Sequence, residues 1–177
     1  KTNLIYKISS KKQKNSTKVN YNNLFFFKKI FKDQNIDYIF FFLGKNFKGK
    51  ASKKSAYVNY ELPLKILNYL IKINKKKLKI IFFGTFLEDE KITSRINIDY
   101  KNNKINLRNK IQAMSKKNEF EFVWLKLPII YGEDQVNKNF TSMLINNIKI
   151  NKTIKIHNKF NTLYLLNIYD VFKLVLL

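Results

Sequence analysis

Short unbroken apolar runs alternate along this chain with segments whose apolar residues recur every three or four positions. Leu4 to Ser9 reads as a strand, and Ser10 to Lys18 as a polar, Lys-rich loop. Asn23 to Lys32 has apolar residues at helical spacing, with Asp33-Gln34-Asn35 as a stop. Asp37 to Leu43 is a continuous apolar run closed by Gly44, the pattern of a strand buried on both faces. Lys45 to Lys54 reads as a loop. Leu62 to Ile73 predicts a helix with Leu64, Leu67, Leu70 and Ile71 as its stripe and Pro63 in its first turn. Leu78 to Phe83 is a second buried strand, closed by Gly84, and Tyr100 to Lys116 a further helix. Phe120 to Leu125 predicts a third strand and Phe140 to Ile148 a third long helix. From Thr153 on, short strands lead to a final helix beginning near Tyr169.

Strands and helices alternating at this spacing predict an α/β fold, with a parallel sheet and helices on both faces. Ligands of such sheets bind beyond the carboxyl ends of the strands. The loops after Leu43, Phe83 and Leu125 are therefore the places to seek chemistry. There is no internal repeat and no interdomain linker, so 1–177 reads as a single domain.

Composition narrows the classes. The chain has 177 residues, 45% of them hydrophobic, enough for a core and too apolar for general disorder. It has no cysteine, which excludes disulfides and thiolate metal sites. Its longest apolar runs are about seven residues, far from the roughly 20 that span a bilayer. No signal peptide is evident, and a cytoplasmic location is expected. The net charge of +23 invites a nucleic-acid reading. Two features set it aside. Only Arg95 and Arg108 among the 35 basic residues are arginines, and the lysines are spread along the whole chain. The Lys excess accompanies abundant Asn, Ile and Phe, all with A/T-rich codons, so base composition accounts for it.

Tyr100-Lys101-Asn102-Asn103-Lys104 places a phenol and an ammonium four residues apart, on one helical face. A nearby ammonium favours the phenolate, so the tyrosine is expected below its ordinary pKa. Such a tyrosine can exchange a proton with a carbinol or carbonyl oxygen while hydride moves to or from a nicotinamide. Thr85, just after the Leu78–Gly84 run, can hydrogen-bond the same oxygen. Each has a plainer reading: Tyr100 as an aromatic covering the strand below, Thr85 as a hydroxyl capping local backbone.

At these residues the chain resembles the extended short-chain dehydrogenases/reductases. Asp37-Tyr-Ile-Phe-Phe-Phe-Leu-Gly44 is similar to that family's "D-x-V-I-H-L-A-G" strand, and Ile80-Ile-Phe-Phe-Gly-Thr85 to the strand delivering its catalytic Ser or Thr. Asn59 resembles the Asn that opens the next family helix. Leu125-Lys-Leu-Pro-Ile-Ile-Tyr-Gly132 is similar to "L-R-L-P-N-V-Y-G", at the usual separation from Tyr100. Asn161 to Val171 is similar to "R-D-F-V-Y-V-D-D-V".

The resemblance implies a Rossmann-like fold, NAD or NADP as cofactor and a nucleotide-sugar substrate. Tyr100, Lys104 and Thr85 would be catalytic. Asn20, Leu43, Gly44, Lys45 and Asn59, with Tyr100 and Lys104, would contact the cofactor. Thr85, Ile129 and Asn161 would face the substrate, whose binding region would begin near residue 129. The reaction would be epimerisation, dehydration or keto-reduction. A homodimer through the Tyr100 helix and the Leu62–Ile73 helix is also expected.

Departures from the family pattern qualify this. The Gly-x-x-Gly-x-x-Gly turn that would hold the pyrophosphate is absent. The chain reads as entering at the second strand, without the first strand–turn–helix unit. A fragment is expected; the alternative is a catalytically inactive remnant that binds a nucleotide or a protein partner. Asn20 stands where the family places an adenine-contacting Asp, Lys126 replaces an Arg, Ile129 an Asn, and Asn161 a phosphate-binding Arg.

Other residues carry weaker suggestions. Ser9-Ser10-Lys11-Lys12 would suit a 2′-phosphate. The lone His157 reads as a surface turn, Trp124 as core, and Glu88-Asp89-Glu90 as a solvated loop offsetting lysines rather than a cation site. No metal is expected.

Overall fold

The computed structural model describes residues 8–9, 17–18, 24–33, 36–45, 52–73, 77–91, 95–117, 120–133, 140–155 and 162–176. Contacts divide the chain into two units, 1–125 and 126–177. In the first, β1 (Ile8–Ser9) pairs in parallel with β2 (Thr17–Lys18), a strand within the stretch read as loop. The main sheet has the order β3-β4-β5, from Tyr38–Phe41, Leu78–Thr85 and Phe120–Leu127. β3 and β4 run parallel, paired from Tyr38↔Lys79 to Phe41↔Phe82. The three strands predicted between Asp37 and Leu125 are therefore the three strands of this sheet.

Period-two alternation selects the core face. Phe41, Leu78, Ile80, Phe82 and Phe120 join one buried cluster with Leu24 and Phe27 at α1 (Phe25–Asp33). The rings of Phe41 and Phe82 stack at 4.9 Å, and those of Phe82 and Trp124 at 5.8 Å. The opposite face of β3 differs from expectation: Tyr38, Phe40 and Phe42 are 55%, 41% and 70% exposed. An apolar run fixes that a strand forms, but not which neighbours cover each face.

Residues 52–73 form one continuous helical path, where a loop and then a helix opening at Leu62 were expected. It comprises α2 (Ser52–Ala56), a π-helical turn (Tyr57–Glu61) and α3 (Leu62–Ile73). The Leu62 N–H donates to Tyr57 O, a five-residue step, and the helix continues on both sides. Pro63 explains the site: it has no N–H to offer the Asn59 carbonyl, so the ladder must adjust in the turn before it. On α3, Leu62, Ile66, Leu67 and Leu70 are buried, while Leu64 and Ile71 are only partly so. Each fully buried leucine contributes about 1.5–3 kcal/mol relative to exposure.

α4 (Arg95–Ser115) begins earlier than predicted, putting Tyr100 in its second turn. Its core stripe is narrow: Leu107 and Ile111 are buried and Met114 packs against the cluster. The same three-four spacing carried backward reaches Lys104 and then Tyr100. Lys104 thus occupies a position of the inward stripe and is only 3% exposed.

Between β4 and β5 the packing depends on a missing side chain. A Cβ on Gly84 would lie 2.2 Å from Trp124 Nε1 and 2.4 Å from Glu88 Oε1. The indole crosses that space to donate to Glu88 Oε1 at 3.0 Å.

In the second unit, β6 (Ile129–Tyr131) pairs in parallel with β7 (Leu165–Asn167). α5 (Phe140–Lys149) ends where Asn151 takes a positive φ of 50° and Lys152 N–H donates back to Asn147 O. α6 (Ile168–Leu176) is capped by Asn167, whose Oδ1 accepts from Tyr169 N–H at 2.9 Å.

Gly84→Ala is expected to cost about 1–3 kcal/mol, the usual penalty of overfilling a packed site. Urea unfolding followed by the emission of Trp124, the sole tryptophan, measures it. An unchanged midpoint would show that the indole does not lie over Gly84.

Candidate active site

The stripe on α4 dictates the chemistry around Lys104. A buried ammonium needs acceptors, and the strand ends offer them. The β3–β4 ladder stops at Phe41↔Phe82. Just past it, Lys104 Nζ donates to Leu43 O at 3.1 Å and to Phe83 O at 2.9 Å. One cation therefore ties together the carboxyl ends of two adjacent parallel strands. Nζ also lies 6.0 Å from the centroid of the Tyr100 ring, at the outer limit of a cation–π contact. Gly44, with φ of 157°, leaves room for this: a Cβ there would stand 2.9 Å from Nζ and 3.4 Å from Asn59 Oδ1.

Asn59 secures the segment after β3. From the π turn its Oδ1 accepts from Lys45 N–H at 2.7 Å, and its Nδ2 donates to Lys45 O at 2.9 Å and to Ser55 Oγ at 3.1 Å. Both amide donors are used and the side chain is fully buried, so no polar group is left orphaned. Ser55 Oγ also accepts from Asn103 Nδ2 at 3.3 Å, joining the helix that carries Asn59 to α4 beside Lys104. Asn59 therefore acts from within a longer helix, not from its opening.

On the other side, Thr85 ends β4 and is buried. Its Oγ1 accepts from Leu87 N–H at 3.4 Å, and its own N–H donates to Glu88 Oε1 at 3.0 Å. This is a capping box on the short turn Phe86–Glu88. The local-cap reading of Thr85 is therefore realised; an oxygen that accepts from Leu87 still keeps its own proton to donate.

Glu88 is where the sequence reading fails. It is not part of a solvated loop: its side chain is fully buried, while Asp89 and Glu90 beside it are exposed. Oε1 accepts from both Thr85 N–H and Trp124 Nε1, and Oε2 lies 3.2 Å from Arg108 Nη1 on α4. The Thr-x-x-Glu spacing of a capping box was the available signal, but three consecutive acidic residues masked it. Ser55, Asn103 and Arg108 were missed as well. Arg108 stands four residues after Lys104, on the same helical face.

These charges set the protonation tendencies. Burial lowers the Lys104 ammonium to about 8, with the Glu88 carboxylate opposing. Burial also raises the Tyr100 phenol above its ordinary value, and Glu88 raises it further. The expected lowering by Lys104 is thus overturned: desolvation of the phenolate and the buried carboxylate outweigh the ammonium in this state.

Of the other anticipated residues, Ile129 opens β6 in the second unit and is partly buried. Asn20, Asn161, His157 and the Ser10–Lys12 stretch lie outside the described residues. Among the described residues no group of three or more His, Cys, Asp or Glu could hold a metal ion, and no helix is long and apolar enough to cross a membrane.

Several solved structures share this fold. UDP-glucose 4-epimerase from Thermotoga maritima, solved with UDP-glucose, superposes with a TM-score of 0.70 at 16% identity, over 91% of this chain and 58% of its own. UDP-glucuronic acid 4-epimerase from Bacillus cereus, a mutant in complex with UDP-4-deoxy-4-fluoro-glucuronic acid and NAD, gives 0.71 at 17%, over 92% of this chain and 54% of its own. ADP-L-glycero-D-manno-heptose-6-epimerase from Helicobacter pylori gives 0.68 at 15%, over 88% and 53%. At such identities the likeness is one of fold, and the chain spans a little over half the length of each protein. Among curated proteins, none matches the chain by sequence. The profile of the family described as NAD dependent epimerase/dehydratase matches residues 2–177. That match covers nearly the whole chain, including every strand and helix around Lys104, and the chain belongs to the NAD dependent epimerase/dehydratase family.

Proposed function

We propose that the protein carrying this chain is an NAD(P)-dependent epimerase, dehydratase or keto-reductase acting on a nucleotide sugar. Tyr100 is its acid/base, Lys104 its electrostatic and anchoring partner, and Thr85 its third hydrogen-bonding group. The observation that carries this reading is the place of Lys104. An ammonium has three donors. Leu43 O and Phe83 O take two of them, and the third is available beside Tyr100, beyond the strand ends where ligands of such sheets bind.

That donor set fits a nicotinamide dinucleotide: Lys104 would hold a ribose hydroxyl, and the Leu43–Gly44–Lys45 segment fixed by Asn59 would line its bed. When bound, the cofactor supplies a hydride acceptor and donor. Tyr100 takes or returns the proton of the sugar hydroxyl that is being oxidised or regenerated. Thr85, its oxygen occupied by Leu87 N–H, donates its own proton to the same sugar oxygen. The raised Tyr100 pKa means that the free site holds a neutral phenol, the form that donates to a carbonyl oxygen. Ile129 is proposed to neighbour the substrate. The nucleotide sugars held by the Thermotoga maritima and Bacillus cereus enzymes support the substrate class.

Tyr100→Phe is expected to lower turnover at least a hundredfold, the scale of general acid/base catalysis, while NAD affinity stays within about twofold. UDP-sugar turnover and quenching of Trp124 emission by NAD measure the two. Unchanged turnover removes Tyr100 from the chemistry, and NAD binding without any Tyr100-dependent turnover favours the inactive remnant. Asn59→Ala is expected to act in the opposite sense. It removes the side chain that accepts from Lys45 N–H and donates to Lys45 O, two hydrogen bonds worth about 0.5–1.5 kcal/mol each, and so should weaken NAD binding about tenfold. An unaltered NAD titration would separate this segment from the cofactor.

A further inference from the structure

We propose that Glu88 is a positioning residue of this site: its single carboxylate fastens the Thr85 turn to β5 through Trp124 and to α4 through Arg108, and sets a negative charge opposite the ammonium of Lys104. The proposal rests on the reading of Tyr100 and Lys104 as the acid/base pair.

Three elements meet at this carboxylate. Oε1 accepts from the backbone of Thr85 and from the indole of Trp124, each at 3.0 Å. Oε2 has no hydrogen bond of good geometry among the described residues and faces only the Arg108 guanidinium, at 3.2 Å. The guanidinium is 29% exposed while the carboxylate has no exposure at all. A fully buried carboxylate so thinly satisfied is a poor stabilising device, because desolvation tends to exceed what the pair returns. It does make a rigid junction. The Thr85 turn, the β5 edge and the α4 face cannot shift separately without breaking a bond to Glu88. Gly84 leaves the space in which this junction forms.

The junction also has a sign. Lys104 and Arg108 lie on one strip of α4, and Glu88 is the buried acid facing them. Lys53 and Lys54 on α2, Glu61 in the π turn, Lys65 on α3 and Lys79 on β4 belong to elements packed against α4 and are all exposed. Among the described residues the buried charges near Tyr100 are therefore Glu88 and Lys104, with the half-buried Arg108 beside them. Glu88 opposes the lowering that burial imposes on Lys104, and it adds to the burial that keeps Tyr100 neutral.

Tyrosine labelled with carbon-13 at Cζ reports each phenol by NMR, and the resonance lost in Tyr100→Phe assigns Tyr100. Glu88→Gln preserves an oxygen for Thr85 N–H and Trp124 Nε1 but removes the charge. The Tyr100 midpoint should then fall by about one pH unit, with the Trp124 indole N–H resonance nearly unmoved. Arg108→Met removes the opposing cation and should raise the same midpoint. Opposite shifts cannot come from general loosening of the fold. A Tyr100 midpoint unmoved in both variants, or shifted alike in both, overturns the proposal. Should Glu88→Gln fail to fold, Arg108→Met and Trp124→Phe decide it: Trp124→Phe removes the indole N–H along with part of the ring and should loosen the Thr85 turn, read as faster Leu87 amide exchange, and unchanged exchange there counts against the junction. The test reads titration and exchange alone, so it stands or falls apart from any loss of turnover in Tyr100→Phe.

Discussion

Everything around the candidate site depends on one ammonium held inside the protein. The stripe that packs α4 onto the sheet runs Lys104, Leu107, Ile111 and Met114, so the lysine goes inward with the leucine and isoleucine below it. A buried ammonium without acceptors is prohibitively costly. The carbonyls that satisfy it, at Leu43 and Phe83, lie just past the last residues that pair β3 with β4. The sheet edge, the helix register and the charge therefore fix one another. Gly44 follows from the same constraint, because a side chain there would displace the ammonium.

Two buried polar clusters flank this point, and both are anchored on α4. On one side Asn59, Ser55 and Asn103 link the π turn, the segment after β3 and the helix. On the other, Glu88 links the turn after β4, Trp124 and Arg108. The apolar core below would be satisfied by many arrangements of similar volume. Buried polar networks are less forgiving and specify one geometry. The core thus holds the sheet to its helices, while the two clusters hold the ends of β3 and β4 on either side of Lys104.

Much of this was legible in the sequence. The three strands of the main sheet announced themselves as apolar runs, and the Tyr100–Lys104 spacing put phenol and ammonium on one helical face. The failures have physical causes. Glu88 is buried because its partners, Thr85, Trp124 and Arg108, converge from three elements, and no local pattern shows such convergence. The π turn before Pro63 is a response to a missing N–H, whereas the sequence suggested a helix start. The exposed face of β3 was misread because an unbroken apolar run does not say what covers it. The Tyr100 pKa moved opposite to expectation because counting the nearby lysine left out both burial and a carboxylate not yet known to be there.

Lys104 is buried at the strand ends beside Tyr100, and the proposed acid/base pairing depends on that placement. Titration of its amine by NMR, with lysine labelled at Cε and the resonance assigned by its loss in Lys104→Met, tests this most directly. The expected midpoint is about 8. A midpoint near the ordinary lysine value of roughly 10.4 would place the ammonium in water and contradict it.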